Sequence, residues 1–391
     1  MRQESTHSHQ PMKRALIILA LFAAIFGMQM PSAVLSLFLI DIAAHFNVPV
    51  GIGGQIGTAA FIVTVVTAAF TGILTSRYPH KTLLLVSVGA LSLGALGSTM
   101  APNFQVVLTT YALTGISVGL TGALTMSLIG RYFSVAERPK TTSYIVIAFM
   151  MPSLVAAPLL GAIGDWRLGF GSVFALACIV AITILAGLPH DDAVSGRTLE
   201  GYTAVLKNKS ALGTIFGNIL TSTGFMTIYV FGASLYREQF GMPPEFVSVL
   251  ASTGMSIAWI VGSLIAGRMI PLFGRKTMTV IFSFVNGLSV IAFTTLPSVW
   301  LSLLAFYIGS FSAGIRGTSV TTLSIEQVPE HREVMQAMTM VSQFLASTLT
   351  ASIGGLILVW FNYTWLAMLG LSTVIGGAIF QILTIDPTKA G

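Results

Sequence analysis

The chain has 391 residues, 54% hydrophobic and only 8% charged, with a formal net charge of +6. Soluble domains carry roughly a quarter charged residues, so this composition excludes an ordinary water-soluble enzyme. The basic residues lie singly or in small groups between apolar runs, which excludes a nucleic-acid-binding face, and the single Cys178 excludes a disulfide framework.

The first fourteen residues, "MRQESTHSHQPMKR", are polar and basic and read as a cytoplasmic tail. The apolar run that follows is too long for the core of a signal peptide. A helix needs about 20 apolar residues to cross a bilayer, and the chain offers predicted spans at 15–45, 51–76, 82–101, 104–132, 141–163, 168–188, 210–236, 246–271, 277–296, 299–326, 334–361 and 364–385. The runs are continuous and lack the short alternating segments of a β-barrel. The predicted class is an all-α membrane protein of twelve transmembrane helices. A polar stretch near the middle divides it into six-helix bundles at 15–188 and 210–385, with a central loop at 189–209 and a C-terminal tail at 386–391.

Lys and Arg set the predicted orientation. Arg77, Lys81, Arg131, Arg138, Lys140, Arg197, Lys207, Lys209, Arg268, Arg275, Lys276 and Arg332 fall on one side, and only Arg167 and Arg237 on the other. Both termini and the central loop are therefore expected in the cytoplasm, with the chain in the cytoplasmic membrane.

Two basic turns repeat. "GILTSRYPHK" at 72–81 and "GRMIPLFGRK" at 267–276 are offset by 267 − 72 = 195 residues, half the chain. "AERPK" before span 5 and "PEHRE" before span 11 give a weaker echo. Two six-span halves repeated in parallel imply a secondary transporter with its small-molecule site between the halves, near the membrane midplane. The lipid bilayer is the expected surrounding partner, nucleic acid is not expected as one, and a monomer is expected. No zinc-binding H-E-x-x-H, phosphate-binding glycine loop or cysteine pair occurs, so no metal or cofactor is predicted and ATP hydrolysis is not the energy source. "GISVG" at 115–119 fits a serine nucleophile pattern, but that motif needs a strand, a sharp turn and a helix. Inside an apolar span Gly115 and Gly119 read as a helix contact between small residues.

The basic turns resemble the loop between spans 2 and 3 of the major facilitator superfamily, approximately G-x-L-a-D-R-x-G-R-K. Gly72, Leu74, Arg77 and Lys81 match it, with Ser76 in place of the acid and Pro79 in place of the second glycine. The second copy keeps Gly267, Gly274, Arg275 and Lys276, with Pro271 at the acid position. The resemblance covers essentially the whole chain and implies that Arg77, Lys81, Arg275 and Lys276 help hold a cytoplasmic gate, weakened by the missing acid. "AAPLLGAIGDWRLGF" at 156–170 resembles the span 5 signature of the family's antiporters: Pro158, Gly161, Trp166, Arg167 and Phe170 match, and Ala157 and Ala162 replace glycines. "FLIDIAAHFNVP" at 38–49 resembles the end of span 1 in the twelve-span drug and sugar exporters. These matches imply efflux. Span 4 departs from that branch, with Tyr111 where a proton-coupling arginine is usual and Thr114 where glutamine is common.

Arg316 is the foremost candidate. It lies about ten residues from the inner end of span 10, and at about 1.5 Å per residue that is about 15 Å, half of a 30 Å core. An arginine there costs roughly 2.5–3.5 kcal/mol, so it must meet a cavity, a partner or a substrate. A guanidinium binds carboxylate or phosphate bidentately, whereas the bland alternative is pairing with amides or carbonyls. Gln29, Asn218 and Gln343 are candidate hydrogen-bonding groups for substrate, or ties between helices. Asp41, near the outer face, is a candidate coupling carboxylate or a structural helix-end group, with protons one candidate driving ion. Tyr111, Met150, Met151, Phe225, Tyr229 and Trp259 are candidates for an adaptable apolar wall. Pro31 and Pro152 are predicted to bend spans 1 and 5. The expected function is export of a small drug-like or sugar-like compound by alternating access, driven by a proton or substrate gradient. Two other readings stay open: uptake or exchange of a small anion held by Arg316, and a non-transporting receptor with a transporter fold.

Overall fold

The computed structural model describes residues 9–133, 138–189 and 198–385. Residues 1–8 and 386–391 of the predicted tails and 190–197 of the predicted central loop fall outside these residues, as do the side chains of Ser76, Arg138, Lys140 and Arg332 within them.

Twelve long helical segments follow in chain order: α1 His9–His45, α2 Gln55–Arg77, α3 His80–Thr99, α4 Phe104–Tyr132, α5 Arg138–Met151, α6 Trp166–Gly187, α7 Lys209–Phe240, α8 Gly254–Phe273, α9 Arg275–Thr295, α10 Val299–Gln327, α11 Arg332–Trp360 and α12 Tyr363–Thr384. A short amphipathic helix, Thr198–Lys207, precedes α7. α5 passes through a π-helical turn at Pro152–Ala156 and continues as Ala157–Ile163. α8 is entered through Pro244–Val247 and a π-helical turn at Ser248–Thr253. Eleven of the segments are long and apolar enough to cross a membrane. In the fifth, the apolar stretch among the described residues runs from Ile147 to Ile163.

Polar caps mark where helices begin. Asp165 accepts from the amides of Arg167 and Leu168 at 2.7 and 2.9 Å, opening α6. Asn362 does the same for Thr364 and Trp365, opening α12. Such caps satisfy backbone donors that have no partner inside the helix. α5 and α7 end at Gly164 and Gly241, whose φ of 69° and 63° lie in the left-handed region that glycine enters without penalty.

The sequence repeat is also a packing repeat. In the first half α1 packs on α6, α2 and α3 on α4, and α3 on α6. In the second, α7 packs on α12, α8 and α9 on α10, and α9 on α12. One contact recurs at the predicted offset: a Cβ on Gly119 would press on the Thr64 carbonyl of α2, and one on Gly314 would strike the Trp259 carbonyl of α8. Both separations are 195 residues (314 − 119 and 259 − 64). Gly115 likewise sits against the Ala60 carbonyl, so "GISVG" is a helix-packing surface.

The lysines of the two basic turns complete the pattern. Lys81 Nζ donates to the carbonyls of Leu185 and Leu188 at 2.9 and 2.5 Å, at the end of α6. Lys276 Nζ donates to Ile382 and Ile385 at 2.8 and 2.7 Å, at the end of α12. Each lysine meets the carbonyls that a helix leaves exposed at its C-terminus.

The halves meet toward the end of the bundle that carries Arg237, away from the lysine turns. There α1 packs on α7, α2 on α11, and α5 on α8. The backbone of Gly51 lies against that of Gly355, and a Cβ on Gly161 would strike the Ser248 side chain. The two π-helical turns also touch, with Thr253 Oγ1 donating to the carbonyl of Leu154 at 3.1 Å. Pro152 has no amide hydrogen to continue its helix's ladder, which is one route to a π-helical turn. In α1, however, the helical dihedrals break at Phe38, with φ −106° and ψ 15°, two turns beyond Pro31. The Leu37 carbonyl accepts there from Arg237 Nη1 at 3.1 Å.

Candidate functional site

Besides a cavity of about 530 Å³ at the Arg237 end, lined from both halves by Val50, Glu238 and Tyr363 among others, two connected cavities lie between the halves. The wider, of about 180 Å³, is lined by Ile25 and Met28 of α1, by α4 from Val118 to Met126, by Phe149 of α5, Trp259 of α8, and Met340 and Phe344 of α11. It lies on the lysine-turn side of the close contacts between the halves. The smaller, of about 40 Å³, continues toward the Arg237 end and shares Met28 and Val118 with the first. Its walls carry the hydroxyls of Ser32, Ser36, Thr64, Tyr111, Thr114 and Tyr229. Ser32 of α1, Tyr111 of α4 and Tyr229 of α7 share one wall of this cavity, so hydroxyls of both halves meet there. Ser36 adds a second tie, donating to the Tyr229 carbonyl at 3.2 Å. Among the described residues no charged side chain lines either cavity.

Arg316 sits elsewhere. Only 2% exposed, it lies inside the second half, with Nη1 donating to Asn218 Oδ1 at 3.0 Å and to Thr221 Oγ1 at 3.2 Å. Its Nη2 donates to Ser222 Oγ at 3.1 Å. Asn218 in turn donates to Ser342 Oγ at 2.7 Å, so one network links α10, α7 and α11. Nε of Arg316 is buried with no partner among the described residues. The partners are an amide and hydroxyls, the bland alternative weighed from sequence, and neither Arg316 nor Asn218 is among the residues lining the two cavities.

The other candidates divide. Tyr111 and Tyr229 face the smaller cavity and Trp259 the wider one. Phe225 stacks at a tilt on Tyr229, ring centroids 6.0 Å apart, without lining either. Gln29 is buried in α1 beside Met28, at 9% exposure. Gln343 is exposed and, like Met150 and Met151, does not line these cavities.

Asp41 is engaged by Arg237 of the other half in a bidentate ion pair, which includes Nη2 to Oδ1 at 2.7 Å. The pair is part-buried, at 12% exposure for the arginine and 34% for the aspartate. Pro158 and Gly161 lie in the short helix after the first π-helical turn, where Gly161 forms part of the α5–α8 seam. Arg77 is exposed at the end of α2. Arg275 pairs with Glu326 at 2.8 Å, inside its own half. The described contacts of Lys81, Lys276 and Arg275 therefore stay within a half.

Sequence reasoning missed Arg237 as the partner of Asp41, although its rarity as a basic residue on the sparsely charged side was a usable signal. It also missed Ser32, Ser36 and Thr64. Serine and threonine are so common within these spans that nothing in the sequence separates the ones facing the cavity.

The comparisons with known proteins agree with this architecture. The family model described as "Major Facilitator Superfamily" matches residues 17–332 and 214–391. An uncharacterised transporter of this type, YfhI of Bacillus subtilis (strain 168), is 25% identical over 341 residues, covering 84% of this chain and 83% of its own. A probable sugar efflux transporter of Helicobacter pylori (strain ATCC 700392 / 26695) is 22% identical, covering 78% of each chain. Among solved structures, a D-xylose–proton symporter superposes with a TM-score of 0.75 at 17% identity, over 96% of this chain and 98% of that one, a likeness of fold. The chain is a multi-pass membrane protein of the transporter type, and it belongs to the major facilitator superfamily.

Proposed function

We propose that this chain exports a small organic compound across the cytoplasmic membrane by alternating access between its two halves, 15–188 and 210–385. The observation that carries the proposal is the position of the cavity. It opens between the halves on the lysine-turn side of a seam made by Asp41–Arg237, Gly51–Gly355 and Gly161–Ser248. With the basic turns in the cytoplasm, that is the arrangement in which an exporter loads. The sugar-efflux relatives and the span 5 residues Pro158 and Gly161 support this direction.

In the transport cycle the seam must open while the lysine-turn end closes. Asp41, held by Arg237 across the seam, is the group whose protonation would loosen it, which makes it the proposed coupling carboxylate. Arg77, Lys81, Arg275 and Lys276 stand at the end that closes in the opposite state. Arg316 pins α7, α10 and α11 together. With its Nη groups engaged and the side chain 2% exposed, it favours a tie within the bundle over an anchor for an anion.

The test has two arms. A cysteine at Leu272, in a protein whose Cys178 is replaced by serine, should react with a membrane-impermeant maleimide only after the cells are permeabilised. Cells loaded with a radiolabelled non-metabolised sugar should lose it faster when they make the protein. Labelling in intact cells overturns the orientation, and unchanged loss of the sugar overturns sugar export.

A further inference from the structure

The two connected cavities differ in chemistry along one axis. The wider has an apolar wall, with Phe149, Trp259 and Phe344 supplying rings and Met28, Met126 and Met340 supplying adaptable surface. The smaller is a cluster of hydroxyls ending at Tyr111, Ser32 and Tyr229. Hydroxyls can both donate and accept, so they can match a polyol or an ether but supply no counter-charge. An ion seated here would lose its hydration with no opposite charge among the lining residues, which is costly in a low-dielectric site. Arg316, buried in the second half, has its Nη groups engaged by Asn218, Thr221 and Ser222 and is not among the residues lining either cavity.

Resting on the reading of the chain as an exporter, we propose that the substrate is an uncharged amphipathic molecule. Its apolar ring lies in the Phe149–Trp259–Phe344 cavity, and its hydroxyl-bearing head is hydrogen-bonded by Tyr111, Ser32 and Tyr229. The two phenols and Ser32 select the head, and the ring cavity tolerates variation. Because Tyr111 and Ser32 belong to the first half and Tyr229 to the second, the head group bridges the two bodies that must move. It replaces a protein–protein contact at the base of the seam, so the same groups that select the substrate also read its presence.

The experiment uses the full-length protein with Cys178→Ser and Gly122→Cys. Gly122 lines the wider cavity, and a Cβ built there meets no atom within 4 Å. Maleimide labelling of this cysteine reports access to the cavity, and protection reports its occupancy. Three probes share one ring and differ in charge: phenyl β-glucoside, benzoate and benzyltrimethylammonium. The expected result is ready labelling, slowed by the glucoside and by neither ion. Tyr229→Phe and Ser32→Ala should each raise the glucoside concentration needed for protection by about tenfold, the effect of one lost hydrogen bond in a buried site. Protection by benzoate or by the ammonium in preference to the glucoside overturns the substrate class while leaving the exporter reading intact. Labelling without protection by any probe also overturns it. A cysteine that does not react overturns the open cavity itself, and the exporter reading with it.

Discussion

The two halves of this protein share a backbone plan and differ in what they bury. Subtracting 195 pairs α7 with α1 and α10 with α4 along their lengths. Arg316, Asn218, Ser222 and Asn286 then correspond to Thr121, Ala23, Gly27 and Leu91. In the second half these positions form or adjoin a buried polar network. In the first, Thr121 keeps one contact, to Ser87 Oγ at 3.1 Å, and the rest is apolar or small. The repeat fixes how helices cross; the departures from it decide which half carries a buried arginine network in its interior. Buried polar groups are costly unless satisfied, so a network in one half only is a local specialisation laid on a common frame.

The largest effect that could break this contrast lies at Arg316. Arg316→Met removes three hydrogen bonds and leaves Asn218 and Ser222 short of a donor, and it should cost about 3 kcal/mol in unfolding measured in detergent. The matched change, Thr121→Val, should cost about 1 kcal/mol. Equal losses would mean that the asymmetry is only compositional.

Next come the two matched glycines. Gly119→Val and Gly314→Val each force a side chain onto a facing backbone carbonyl and should each cost about 2 kcal/mol. Similar losses would sharpen the repeat, whereas a much smaller loss at one would show that its helix pair can separate.

A smaller effect is expected where the halves meet. Asp41→Asn weakens a part-buried ion pair, a change of about 1 kcal/mol. It should raise maleimide labelling of a cysteine placed at Gly57, which lines the smaller cavity beneath the seam, from outside intact cells by about fivefold for that energy. Unchanged labelling would remove Asp41 from the opening of the seam. The smallest effects belong to the lysines. Lys81→Ala and Lys276→Ala should each lower stability by about 0.5 kcal/mol, since each removes a cation from a helix C-terminus at the bundle's edge.

Much of this was legible in the residues. Apolar runs about a helix-crossing long fix the spans because lipid allows only structures that satisfy their own backbone, which makes hydropathy a strong constraint. The α5 segment shows the limit: Pro152 predicted a bend, but that the helix passes it through a π-helical turn and continues to Ile163 was not written in the residues. Gly115 and Gly119 were readable as a helix contact because glycine in a span has few other uses. Of the six candidates for an apolar wall, Tyr111, Tyr229 and Trp259 line the cavities while Met150, Met151 and Phe225, named on the same ground, do not, and Gln343 lies on the exposed side. A shift of one residue turns a side chain by about 100° around the helix, and no sequence feature sets the rotation of α11 against its neighbours.

By itself the sequence determined that this chain is a twelve-helix membrane protein of two repeated halves, because span length and the 195-residue offset are properties of the chain alone. The tertiary structure decided what the few polar groups do. Arg316 is satisfied by Asn218, Thr221 and Ser222, and Asp41 by an arginine almost two hundred residues away, through contacts set by helix rotation and packing. Those depend on which faces meet, and in a chain where nearly every face is apolar, hydrophobic patterning cannot specify them.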